Sequence, residues 1–207
     1  MSASLFSTTH DDQLFCYRRI GIMKLAFSGS HSTGKSTLLR EIETIHGAKH
    51  IVTIKDIARG VIKRGFPLEK NSTVDSFVNY IKDQLRAERE IERVDFDLLI
   101  SDRTVIDAYG YATVNRDLPR PHIPDYFIDM LREVAIREAS FYDLFVYFPV
   151  EFPMVEDPVR PVDPTYREAV GFAIKDALES FGISHLVVTG DTAHRLESLR
   201  LAGVLTI

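Results

Sequence analysis

The sequence holds one cysteine, Cys16, and no tryptophan. A single thiol excludes an intrachain disulfide and any multi-cysteine zinc site, and it fits a reducing compartment. No apolar run approaches the roughly 18 residues of a membrane span, and the first residues lack the continuous apolar core of a secretory signal. The expectation is a soluble, cytoplasmic protein with no membrane partner. Positive charge is also short: 25 Lys and Arg stand against 30 Asp and Glu, for a formal net charge of -5. A strongly basic nucleic-acid footprint is absent, so any polyanion would need a local basic patch. The histidines at 10, 31, 46, 50, 122, 185 and 194 show no paired metal-ligand spacing.

What is present is enough apolar material for one substantial core, with 207 residues of which 45% are hydrophobic. Residues 1–22 show no sustained period, and they read either as a leader or as an extension upstream of a start at Met23. From Met23 to Ile207 the chain reads as a single domain. Apolar runs near Lys24–Ser28, Ile51–Ile54, Phe96–Ser101, Leu144–Phe148 and His185–Thr189 predict strands. Between them, helical patterns run near Lys35–Ile45, Asp56–Arg64, Val74–Arg93, Val105–Val114, Asp125–Glu138 and Pro164–Ser180. Such alternation implies parallel strands with crossover helices, hence a three-layer α/β sandwich. Two proline-rich stretches, 115–124 and 149–164, predict surface loops. The second is long for its place and predicts a lid over about 149–167.

Gly29 to Ser36 reads GSHSTGKS, which matches GxxxxGK followed by Ser or Thr, after a strand and before a helix. Gly29 and Gly34 permit the backbone angles that turn successive N–H groups inward, and the helix start adds its dipole. The expected phosphate-binding set is Gly29, Ser30, His31, Ser32, Thr33, Gly34, Lys35, Ser36 and Thr37. Lys35 would reach the β- and γ-phosphates and Ser36 would ligate Mg2+. His31 has an alternative as a solvent-facing loop residue without a chemical role. At the carboxyl end of the third strand, Asp102 is the candidate carboxylate for Mg2+, and Arg103 the candidate to hold an acceptor or its phosphate. A motor-type ATPase offers two consecutive acids here; arginine in second place favours transfer to a hydroxyl over activation of water. The bland alternative for Asp102 and Arg103 is a surface ion pair opening a helix.

Taken together, GSHSTGKS, DIAR after the second strand, IKDQLRAERE, SDRTVIDAYGY and a late R-x-x-D-x-x-x-R resemble the NadR-like P-loop kinases, which include ribosylnicotinamide kinase domains. The resemblance covers nearly everything from Met23 onward. It implies a P-loop sandwich with a five-stranded parallel sheet in the order 2-3-1-4-5 and a lid insert, using ATP and Mg2+. Phage kinases of hydroxymethyluracil in DNA are similar in the same way, and would place the protein in a host cytoplasm. By the resemblance, Asp56 is the candidate base beside the acceptor hydroxyl, with Asp where the family commonly has Glu. Arg59, at i+3, shares its face. Gln84 would read an acceptor base or amide. Asp107 and Tyr111, at i and i+4, could line the acceptor pocket, and Thr189–Asp191 would flank the adenine. Arg160 and Arg167 bracket Asp163 in the expected lid and are candidates to neutralise charge on the transferred phosphoryl. Each also has a structural alternative: a helix-opening acid for Asp56, an exposed glutamine for Gln84, core for Tyr111, solvated charge for the arginines.

The leading expectation is a kinase transferring the γ-phosphoryl of ATP to a hydroxyl of a nucleoside-like or nucleotide substrate. The alternatives are a DNA kinase acting on a hydroxymethylated pyrimidine, for which Lys55, Arg59, Lys63 and Arg64 supply local cations, and a regulatory nucleotide-binding ATPase.

Overall fold

A computed structural model describes residues 22–46, 50–119, 121–153 and 163–205. Five strands, β1 (Met23–Ser28), β2 (Ile51–Ile54), β3 (Leu98–Asp102), β4 (Leu144–Tyr147) and β5 (His185–Val187), form one sheet in the order β2-β3-β1-β4-β5. Every pairing is parallel. Among the described residues, seven α-helices connect or flank them: α1 (Lys35–His46), α2 (Ile57–Lys63), α3 (Val74–Ile91), α4 (Val105–Arg116), α5 (Asp125–Ala139), α6 (Pro164–Ser180) and α7 (Thr192–Leu201). This is the P-loop kinase sheet order expected from the sequence.

β1 is central and covered on both faces, which is why Leu25, Ala26 and Phe27 are consecutive apolar residues rather than an alternating pattern. Leu25 and Phe27 pack with Leu38, Leu39 and Ile42 of α1 and Leu199 of α7. Ala26, on the other face, joins the cluster that holds Val105 and Ile106 of α4 and Ile174 of α6. The register sets Phe27 beside Asp102 and Ser28 beside Tyr147, so the ends of the three central strands are nearly level. From there β1 feeds α1 on one face and β3 feeds α4 on the other. A crevice therefore opens between the carboxyl ends of β1 and β3, where open α/β sheets take ligands.

Helix starts follow the expected chemistry. Thr104 and Asp107 form a reciprocal capping box on α4, and Asp163, followed by Pro164, accepts from the Tyr166 N–H at 2.9 Å at the head of α6. Some boundaries differ. β3 begins at Leu98 and runs through Asp102, because Asp97 is held in the preceding turn by its N–H to the His50 carbonyl (2.8 Å). Asp56 precedes α2 rather than opening it, with φ 64° and no side-chain capping bond. A 3-10 turn spans Glu69–Asn71, a Glu-Lys-Asn stretch to which the sequence pattern assigns no element. Arg160 and most of the expected lid, 154–162, lie outside the described residues, as do 1–21 with Cys16. Among the described residues no helix is long and apolar enough to cross a membrane.

Candidate active site

The turn after β1 takes its shape from residues that tolerate left-handed backbone. Gly29 has φ 145°, and a β-carbon there would lie 2.6 Å from the Phe148 carbonyl oxygen, so only glycine fits. Ser32 sits at φ 57°. The Lys35 ammonium folds back on the loop, donating to the carbonyls of Gly29 (2.8 Å) and Ser30 (2.5 Å) and to Thr33 Oγ1 (3.0 Å). A cavity of about 490 Å³ opens over this turn, lined by Ser32 to Thr37 and, opposite, by Asp56, Arg59, Asp102 and Arg103.

Ser36 Oγ donates to Asp102 Oδ2 at 2.6 Å. A hydroxyl and a carboxylate one hydrogen bond apart are the hard oxygen donors that Mg2+ takes, the rest of its shell being water and phosphate oxygens. The pair fits Mg2+ in a phosphate-filled cavity. Among the described residues no group of three or more His, Cys, Asp or Glu is disposed to hold a metal without such a ligand.

Arg103 joins two spaces. Its φ of 85° is unusual for a side-chain-bearing residue, and its peptide is fixed by its own N–H to the Phe27 carbonyl (2.9 Å) and by Ser101 Oγ donating to its carbonyl (2.7 Å). The guanidinium donates to the Gly29 carbonyl (3.3 Å) and Tyr111 Oη (3.2 Å). Burial alone would lower its proton affinity, but Tyr111, Asp107 and Asp102 outweigh that and hold it firmly charged. Beyond it lies a second cavity of about 270 Å³, whose walls include Phe77, Tyr80, Tyr111 and Tyr166, with Asp107 and Lys70 among its polar groups. Lys70 is ion-paired with Asp163 at this cavity. The Tyr80 hydroxyl is buried and has no hydrogen-bond partner among the described residues.

Asp107 and Tyr111 line this second cavity and also tie it to the phosphate turn. Asp107 accepts from Ser28 Oγ (2.9 Å), the Gly29 N–H (3.0 Å) and the Thr104 N–H (2.9 Å). Burial raises its proton affinity, against the pull of Arg103 and Lys35. The Tyr111 hydroxyl accepts from the His31 N–H (3.1 Å) and lies 3.2 Å from the His31 ring Nδ1. His31 is thus buried, not solvent-facing.

Two expected site residues are placed differently. Gln84 is fully buried behind β3, donating to Glu88 (2.9 Å), Ser101 (3.0 Å) and Tyr142 (3.3 Å), and lines neither cavity. Arg167 is 2% exposed and grips the phosphate turn from outside, donating to the His31 and Ser32 carbonyls; burial lowers its proton affinity. Asp56 and Arg59 remain at the rim of the phosphate cavity, exposed and 3.5 Å apart. Sequence reasoning missed Tyr80, Tyr166 and Arg195. Tyr80 had a legible signal, being one turn from Gln84 on the same helix face. Of the five described non-glycine residues with positive φ, Ser32, Asp56, Glu69 and Arg103 line one or other cavity, the clustering of backbone strain that marks functional sites.

A family model described as an AAA domain matches residues 24–195. The chain belongs to that family. No curated protein matches it by sequence. Among solved structures, a NadR protein in complex with NR superposes with a TM-score of 0.64 at 15% identity, over 90% of this chain and 52% of that one. The chain thus spans about half the length of NadR. The M. mycoides deoxyadenosine kinase with dCMP and dCDP bound gives 0.67 at 18% identity, over 86% of this chain and 97% of that one. Thymidylate kinase from Ehrlichia chaffeensis gives 0.56 at 16% identity, over 87% and 98%. At these identities the likeness is one of fold, and the AAA domain chain shares the nucleoside and nucleotide kinase form of the P-loop sandwich.

Proposed function

We propose that this chain is a kinase that moves the γ-phosphoryl of ATP to a hydroxyl of a nucleoside-like or nucleotide substrate. The observation that carries the reading is the pair of cavities meeting at Arg103, one built on the phosphate turn and one walled by aromatic rings. A site that only hydrolyses has no use for the second. The absence of a second acid after Asp102 supports the same choice, as do the solved neighbours, which include a deoxyadenosine kinase and a thymidylate kinase.

In this reading the turn from Gly29 to Thr37 cradles the phosphates, Lys35 leaves its loop carbonyls to meet them, and Ser36 and Asp102 hold Mg2+. The metal supplies charge neutralisation on the phosphates when bound. The aromatic cavity receives the acceptor, with Tyr80 Oη and Arg103 as its hydrogen-bonding groups. Asp56 stands at the rim to orient the acceptor hydroxyl, with Arg59 against it. In a loose phosphoryl-transfer transition state such positioning matters more than early proton removal. The loop at Thr189–Asp191 is the proposed adenine side.

Incubation with Mg-ATP and a panel of nucleosides, nucleotides, nicotinamide riboside and hydroxymethylated DNA, tracing labelled γ-phosphate, tests the proposal. Label should appear on an acceptor, and Lys35→Ala should abolish it. Label released only as free phosphate, independent of acceptor, would leave the regulatory ATPase standing in its place.

A further inference from the structure

Two buried arginines from different helices meet the phosphate turn on its outer side. Arg167 of α6 donates through Nε to the His31 carbonyl (3.1 Å) and through Nη2 to the Ser32 carbonyl (2.9 Å). Arg195 of α7 donates through Nη1 to the Thr33 carbonyl (2.6 Å). Both are 2% exposed. With Lys35 on the carbonyls of Gly29 and Ser30, the carbonyls of five consecutive residues, 29 to 33, are each held by a cation. Because a trans peptide is planar, fixing a carbonyl on one side aims the next residue's N–H to the other. The two arginines therefore set the N–H groups of Ser32, Thr33 and Gly34, all of which belong to residues lining the phosphate cavity. Ser32 needs this most, since its φ of 57° is a conformation that a serine in an unsupported loop would leave.

Each arginine is itself anchored. Arg167 Nη1 donates to the Phe152 carbonyl (2.7 Å). Arg195 Nη2 pairs with Glu151 (2.8 Å), and its guanidinium lies over the rings of Phe148 and of Phe152, 5.2 and 5.1 Å from their centroids. Glu151 also accepts from the Gly190 N–H (3.1 Å). A β-carbon on Gly34 would lie 2.7 Å from Arg195 Nη1, so the glycine makes room for the arginine as well as for the turn.

We propose that Arg167 and Arg195 are positioning residues that pre-set the phosphate cradle by clamping its outward carbonyls, and that Glu151 locks the second of them to the stretch that follows β4. The role needs the forked geometry of arginine, because one guanidinium spans two acceptors and an ammonium on a flexible stem does not. This rests on the reading of the turn as a nucleotide phosphate site, and it departs from the expectation that Arg167 neutralises charge on the transferred phosphoryl.

The test is displacement of a fluorescent ATP analogue by Mg-ATP and by Mg-tripolyphosphate, which has phosphates but no base. Arg167→Met and Arg195→Met, checked for folding by circular dichroism, should each weaken both ligands by the same factor, about tenfold for a lost charge-assisted bond. Arg167→Lys and Arg195→Lys should recover only part of that. Unchanged tripolyphosphate affinity in a folded variant, or full recovery by lysine, would overturn the clamp; the first would assign the residue to the base side or to structure alone, the second to charge alone. If either methionine variant does not fold, its lysine variant decides by the same criterion. Failure of the unsubstituted protein to bind either ligand would instead bring down the phosphate-site reading itself.

Discussion

Single side chains at this site are constrained by what they can donate or accept, and that makes their substitutions informative. Ser36 and Asp102 share one hydrogen bond at the place where hard oxygen ligands are needed. Ser36→Ala and Asp102→Asn should raise the Mg2+ concentration required for half-maximal phosphoryl transfer by about tenfold or more, while adding excess Mg2+ restores part of the rate; a magnesium titration of activity reads this directly. Behind β3, Glu88 is buried and accepts from Tyr142 (2.6 Å) and Gln84 (2.9 Å). Burial raises its proton affinity, more than its two hydrogen bonds lower it. An acid whose folded value is raised contributes stability that is fully present below the ordinary carboxylate range and lost as pH rises through the elevated value. Glu88→Gln keeps an acceptor for both donors and removes the charge. It should raise the melting temperature at pH 7, and that gain over the parent should shrink as pH falls toward the ordinary carboxylate range. The same cluster explains where residue-level reading stopped. Gln84 was legible as a polar residue on an otherwise apolar helix face, but a sequence does not give the depth at which a helix crosses a sheet; one turn decides whether the residue meets Ser101 under the strand or, as Tyr80 does, the cavity.

At the scale of elements, the phosphate turn and helix α4 work as one unit through Asp107. Its carboxylate closes the α4 capping box and holds both Ser28 and Gly29, so the residue that starts the helix also fixes the start of the turn. Asp107→Ala removes the cap and leaves buried donors unpaired; it should cost about 2–4 kcal/mol, seen as a lower urea midpoint, with nucleotide binding weakened even where the protein remains folded. Element positions were largely legible because apolar runs and turn residues alternate cleanly, and the glycine-rich turn has a motif of its own. The links between elements were not. Nothing local in SDRTVID announces that its second aspartate reaches back across the sheet to the residue after β1, and nothing in TAHRLESL marks Arg195 as buried beneath the turn. Both depend on strand order, which brings β1 and β3 together although 69 residues separate Ser28 from Leu98. The 3-10 turn at Glu69–Asn71 escaped for a related reason: its conformation is held from afar, by Asn115 donating to the Glu69 carbonyl (2.6 Å) and Lys70 pairing with Asp163.

For the whole molecule the question is which acceptor the charge distribution admits. The net charge of -5 repels a polyanion at long range, and three of the four local cations carry ion pairs, Lys63 being the other. Lys55 is paired with Glu43 (2.8 Å), Arg64 with Asp83 (2.5 Å), and Arg59 with Asp56 (3.5 Å). The proposed acceptor cavity, about 270 Å³ with aromatic walls, suits one base and sugar rather than a backbone. A nucleic acid held by several phosphates releases counterions, and its binding falls about 10³- to 10⁵-fold between 50 and 200 mM salt when 6–10 contacts are made. An acceptor held by ring stacking and one or two hydrogen bonds has no such term. Phosphoryl transfer to a small nucleoside-like acceptor should therefore change less than about threefold in kcat/KM over that salt range, measured at constant free Mg2+. A steep loss with salt, together with label on hydroxymethylated DNA, would move the acceptor into the polymer and require that the paired cations Lys55 and Arg64 exchange their carboxylates for phosphates.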